Sequence, residues 1–136
     1  MLSLTNDILG WERDVKKKIL IVEDDLKNQK LFRDILEKFG YKTILASDGE
    51  QGVQLAQAEK PDLILMDIQL PVKDGLTATR EIKGNPQISH IPVWALTAMA
   101  MKGDKELVRA AGCDDYISKP VQLSNLIEKL STYFNR

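Results

Sequence analysis

Five polar residues of this 136-residue chain stand at the ends of short strand-like stretches: Glu23 and Asp24 after the apolar run Ile19-Leu20-Ile21-Val22, Asp67 after Leu63-Ile64-Leu65-Met66, Thr97 after Val93-Trp94-Ala95-Leu96, and Lys119 after the brief stretch Tyr116-Ile117-Ser118. Apolar runs without polar alternation read as strands buried on both faces. A polar residue ending such a strand falls at its carboxyl edge, where open α/β sheets place their ligands. Three carboxylates gathered at one edge repel one another and raise the proton affinity of at least one, unless a cation joins them. A hard divalent ion resolves the conflict. Mg²⁺ suits the set because it takes few carboxylates and keeps waters that an incoming phosphoryl group can replace. Lys119 adds a fixed positive charge, and the Thr97 hydroxyl can donate to a phosphoryl oxygen. Together these residues describe a place where Asp67 attacks phosphorus and carries it as an acyl phosphate.

The elements that would hold them alternate in type. Lys18 to Val22 is the first strand, followed by a helix with Leu31, Phe32, Ile35, Leu36 and Phe39 at helical spacing that stops at Gly40. Tyr41 to Ala46 is a weaker, partly polar strand fit for a sheet edge, and Asp48 to Ala58 a helix with Val53 and Ala56 inward. The central strand ends at Asp67. A short helix runs from Gly75 to about Lys83, a fourth strand from Ile91 to Leu96, and a helix-prone segment from Met101 to Ala111 with Leu107, Val108 and Ala111 as a modest apolar face. A brief strand at Tyr116 to Ser118 and a last helix with Leu123, Leu126, Ile127, Leu130 and Phe134 complete the chain. Five strands alternating with five helices predict an α/β, doubly wound parallel sheet covered on both faces. Before it, Leu4, Ile8, Trp11 and Val15 share one face of a possible short helix, so residues 1–16 read as an extension or linker and 17–136 as one domain.

Composition narrows the function. With 19 basic and 20 acidic residues the net charge is −1, which offers no electrostatic footprint for nucleic acid or an anionic membrane. Cys113 is the single cysteine, so no internal disulfide forms, and a reduced cytoplasmic setting is expected. No apolar run approaches the roughly 20 residues of a membrane span, and no signal peptide is evident.

The segments ILIVEDD, PDLILMDIQLP, ALTA and DYISKP, in this order and spacing, resemble the response-regulator receiver domain of two-component signalling, the CheY-like superfamily. The likeness covers about Lys17 to Arg136. It implies the flavodoxin-like strand order 2-1-3-4-5, and roles residue by residue: Asp67 the phosphoacceptor, Asp24 a direct Mg²⁺ ligand, Glu23 acting on the metal more through water, and Gln69 lending its backbone carbonyl. It further implies Thr97 as switch hydroxyl, Ala98 as the small neighbour leaving room for the phosphoryl group, Tyr116 as switch aromatic and Lys119 as phosphate-binding lysine. A cis Lys119-Pro120 bond also follows from the resemblance. Glu23 stands where some members have Asp, and Asp25 matches no required position. Simpler readings stand beside these roles. Asp24 or Asp25 serves equally as a helix cap, Tyr116 as a core aromatic, and Thr97 as a strand former.

The resemblance implies a phosphorylation switch rather than an enzyme. A histidine kinase or histidine phosphotransfer domain would donate to Asp67. A downstream protein would read the face made by the segment 101–111, the Tyr116 strand and the last helix. No output domain is expected after Arg136, and a receiver cut from a hybrid histidine kinase is the alternative. An aspartyl-nucleophile phosphatase would need a second carboxylate two residues after Asp67, where Gln69 stands. A flavin module would need a hydroxyl- and glycine-rich loop after the first strand, where Glu23-Asp24-Asp25 stands.

Overall fold

The computed structural model describes residues 16–98 and 102–135, with the backbone alone at 102–104. The proposed stripe of Leu4, Ile8, Trp11 and Val15, and Met101, lie outside the described residues. The elements run β1 (Lys18–Val22), α1 (Leu26–Lys38), β2 (Lys42–Ala46), α2 (Gly49–Glu59), β3 (Leu63–Asp67), α3 (Gly75–Lys83), β4 (Val93–Thr97), α4 (Lys102–Ala110), β5 (Asp115–Ser118) and α5 (Leu123–Phe134). All strand pairs are parallel, in the order β2-β1-β3-β4-β5. Every residue of β3 and β4 is buried, whereas the edge strands β2 and β5 are mostly half-buried.

Successive strand residues point to opposite faces, so each unalternating run feeds two cores. Ile19, Ile21, Leu63, Leu65, Trp94 and Leu96 pack under α1 and α5 against Phe32, Leu36, Leu126 and Leu130. Leu20, Val22, Ile64, Met66, Val93 and Ala95 pack on the other side with Val53, Ala56, Ala78, Ile82 and Val108 from α2, α3 and α4. This is the doubly wound arrangement.

Three details depart from the sequence reading. Among the described residues of α4 Val108 alone is buried, with Ala111 just after it, and Leu107 is 51% exposed. In α1, Phe32 and Leu36 carry the burial while Leu31 and Phe39 face outward. The fourth strand, read from Ile91, begins at Val93 instead, and Ile91 and Ile88 before it are buried core residues in the turns after α3. The Lys119-Pro120 peptide is cis, as the resemblance implied.

Candidate functional site

Strand order reverses at β1, which lies between β2 and β3, and the crevice at the carboxyl ends of β1 and β3 is the point where open α/β sheets bind ligands. The register sets what meets there. Val22 pairs with Met66, so the next residues along each strand, Glu23 and Asp67, emerge side by side. Carboxylate oxygens of Glu23, Asp24 and Asp67 all lie within 4.8 Å of one another. From the far edge of the sheet Lys119 reaches past the end of β4, its Nζ 2.6 Å from Asp67 Oδ2. Its backbone N–H donates to the Thr97 carbonyl at 2.8 Å, extending the β4–β5 ladder to the site.

Burial separates the members. Glu23, Asp67 and Thr97 are nearly inaccessible, at 2%, 3% and 2% exposure, while Asp24 is exposed. The adjacent acids divide the work that the sequence left open. Asp25 caps α1, its Oδ1 accepting from the N–H groups of Lys27 at 2.8 Å and Asn28 at 3.2 Å, and Asp24 is the residue that joins the cluster.

Asp67 is held from both sides, since Oδ1 accepts from the Gln69 N–H at 2.9 Å and Oδ2 from Lys119. Gln69 therefore has its backbone at the site, with an exposed side chain. The loop beyond it closes tightly: a Cβ at Gly75 would lie 2.1 Å from the Asp67 carbonyl oxygen, so only glycine lets α3 start there. Ala98, exposed, follows Thr97 at the rim. Tyr116 is not in the cluster. It pairs with Ala95, two positions back along β5 from the Thr97–Ser118 pair, and packs half-buried into the core on the α4 side, with Lys105 Nζ 5.4 Å from its ring centroid.

Electrostatics point to a cation. Burial, with further help from the nearby Asp67 charge, pushes the Glu23 carboxyl up to about 7, against the opposing pull of the Asp25 N–H and of Lys119. Glu23 Oε2 accepts from Asp25 N–H at 3.0 Å, whereas Oε1 is buried and has no hydrogen-bond partner. A buried, unsatisfied carboxylate oxygen beside two more carboxylates is a hard-oxygen donor set that fits Mg²⁺. Sequence reasoning missed Gln29, buried beneath Glu23. The available signal was its spacing, three residues before Phe32 on the buried stripe of α1.

A sequence model described as the response regulator receiver domain matches residues 19–131. The chain belongs to that family. It is 50% identical over 117 residues to the polar-differentiation response regulator DivK of Brucella anthropi, an alignment covering 86% of this chain and 95% of the relative. Among solved structures it is similar to the receiver domain of the sensor histidine kinase PA1611 of Pseudomonas aeruginosa, crystallised with a magnesium ion coordinated in its active-site cleft. The TM-score is 0.82 with 39% identity, covering 90% of this chain and all of that one. It is also similar, at TM-score 0.80 and 32% identity over 85% of this chain and 87% of that chain, to a co-crystal structure from Saccharomyces cerevisiae. That crystal holds the histidine phosphotransfer protein Ypd1 with the receiver domain of its downstream response regulator Ssk1. As a response regulator receiver, this chain is a two-component signalling protein with the CheY-like fold. Among the described residues no helix is long and apolar enough to cross a membrane.

Proposed function

We propose that residues 17–136 form a phosphorylation switch in which Asp67 accepts a phosphoryl group from the phosphohistidine of a histidine kinase or histidine phosphotransfer domain. The carrying observation is the convergence of the Glu23, Asp24 and Asp67 carboxylates within 4.8 Å, with Lys119 Nζ 2.6 Å from Asp67. Glu23, Asp24 and Asp67, with the Gln69 backbone carbonyl, would hold Mg²⁺. Once bound, the ion supplies charge neutralisation and orientation for the phosphoryl oxygens. The chain's own residues do the rest. An Asp67 carboxylate oxygen attacks phosphorus, the P–N bond to the donor imidazole breaks, and its electron pair returns to the ring nitrogen. Lys119 turns from pairing Asp67 to pairing the new phosphoryl charge, and the Thr97 hydroxyl donates to a phosphoryl oxygen. Water later hydrolyses the acyl phosphate, so the protein resets itself without being an enzyme acting on a separate substrate.

Inward movement of Thr97 would free space for Tyr116, on the neighbouring strand, and couple the site to the surface of α4, β5 and α5, where a downstream protein reads the state. Residues 1–16 are an extension outside this unit, and the cytoplasm is the compartment where such donors would meet it. Acetyl phosphate with Mg²⁺ tests the reading. Intact mass should show one phosphoryl group on the native chain and none on Asp67→Asn, whereas equal labelling of both removes Asp67 from the role.

A further inference from the structure

Gln29 lies on the α1 stripe that carries Phe32 and Leu36, and although polar it is only 6% exposed. Its side-chain Nε2 donates to the Glu23 carbonyl at 2.6 Å and to Ser47 Oγ at 3.1 Å, with the Ala46 carbonyl a longer third acceptor at 3.4 Å. Two carbonyl acceptors fix the amide with its nitrogen inward, since its oxygen has nothing to offer them. The Glu23 N–H in turn donates to the Ala46 carbonyl at 3.0 Å. Both backbone polar groups of Glu23 are therefore tied to the end of β2, one directly and one through Gln29. The tie continues, because the Ser47 N–H donates to Gln51 Oε1 at 2.8 Å, anchoring the chain of bonds on α2. With its backbone fixed and Oε2 held by the Asp25 N–H, Glu23 keeps one unpartnered oxygen, Oε1, buried at the acidic cluster.

We infer that Gln29 is a positioning residue for the acidic site: by clamping the Glu23 backbone to the β2–α2 junction it aims Oε1 at the cation position and so sets the affinity for Mg²⁺. This rests on the reading of Glu23, Asp24 and Asp67 as the metal site. Gln29 touches neither metal nor phosphoryl group. Its effect is geometric, and partners that orient metal ligands are typically worth about 10- to 100-fold in affinity.

Mg²⁺ titration of the full chain, followed by amide NMR shifts with metal-free melting measured alongside, tests the inference. Gln29→Met keeps the buried volume and removes the donors, Gln29→Asn is too short to span both acceptors, and Ser47→Ala removes the far anchor. Thr43→Ala is the control, because the bond from Thr43 Oγ1 to Glu37 Oε2 at 2.7 Å also ties α1 to β2 but outside the network around Glu23. Gln29→Met should raise the Mg²⁺ Kd about tenfold, near the lower end of that range. Gln29→Asn and Ser47→Ala should raise it by less, and Thr43→Ala should leave it unchanged. Should Gln29→Met fail to fold, the other two variants carry the test. Lowered melting with an unchanged Kd in the Gln29 and Ser47 variants would make Gln29 merely structural and overturn the inference, as would an equal loss in Thr43→Ala. Failure of the native chain itself to bind Mg²⁺ would instead overturn the metal-site reading on which the inference depends.

Discussion

Lys119 Nζ lies 2.6 Å from Asp67 Oδ2, joining residues 52 apart in sequence and the ends of β3 and β5, which are not neighbours in the sheet. On the metal-site reading proposed above, Lys119 offsets part of the carboxylate charge that Mg²⁺ would neutralise. Removing the lysine should therefore cost more than a surface ion pair, because Asp67 is nearly inaccessible. Lys119→Met is expected to lower metal-free stability by about 1–3 kcal/mol, less than for a fully buried pair because the lysine is partly exposed. Saturating Mg²⁺ should shrink that loss, since without the competing ammonium the variant should bind the ion more tightly and gain more from it than the native chain. Denaturant melts with and without Mg²⁺ measure both, and an equal loss under the two conditions would contradict this charge competition.

Glu23 makes the site sensitive to pH. Its folded value of about 7 lies above the ordinary 4.5, chiefly through burial. A folded value raised above the unfolded one means that the folded chain holds the proton more tightly. The resulting stability is fully present below pH 4.5 and is lost as pH rises through about 7. Metal-free stability should fall across that window, and Glu23→Gln should flatten the fall. Mg²⁺ must displace this proton, so its affinity should climb over the same range. Calorimetry in two buffers of different ionisation enthalpy reads the released proton, and a Kd unchanged from about pH 6 to about pH 8 would exclude the linkage.

Asp24 and Asp25 are adjacent and chemically identical, yet their variants should separate cleanly. Asp25→Ala removes the α1 cap and is expected to cost about 1 kcal/mol of stability. Its Mg²⁺ affinity should change little. Asp24→Ala should do the reverse, raising the Mg²⁺ Kd at least tenfold without destabilising the metal-free fold, because it relieves repulsion. Paired melts and titrations of the two variants decide it, and a loss of metal affinity in Asp25→Ala matching that in Asp24→Ala would refute the division.

Much of this architecture is legible in the sequence because strands buried on both faces cannot alternate, and the residue that ends each run is conspicuous. Glu23, Asp67 and Thr97 stand out that way, and Lys119 stands out after the short edge strand β5. What escaped depends on contacts between elements. Leu107 looks like core by type, yet it is exposed while its neighbour Val108 takes the buried position. Gln29 looks like surface by type, yet the Glu23 and Ala46 carbonyls at the ends of β1 and β2 and the Ser47 hydroxyl draw it inward. Which of two neighbouring aspartates caps α1 and which joins the cluster is a matter of backbone geometry that no residue type encodes.

Coupling from Asp67 to the surface should follow the Thr97–Tyr116 route. Among the described residues α4 contributes only Val108 to the buried core, so little holds it when its neighbours move. Hydrogen exchange with and without beryllofluoride should change most across residues 99–121. Protection changes confined to the loop after Asp67 would break the coupling while leaving the phosphoacceptor intact.

Borohydride reduction tests the central claim most directly, because it converts an aspartyl phosphate, and no unmodified carboxylate, into homoserine. The chain is phosphorylated by a phosphohistidine donor with Mg²⁺, reduced and mapped by peptide mass. The account predicts homoserine in the peptide holding Asp67 and nowhere else. Homoserine at Glu23's neighbour Asp24, or label that survives on a hydroxyl residue, would contradict it.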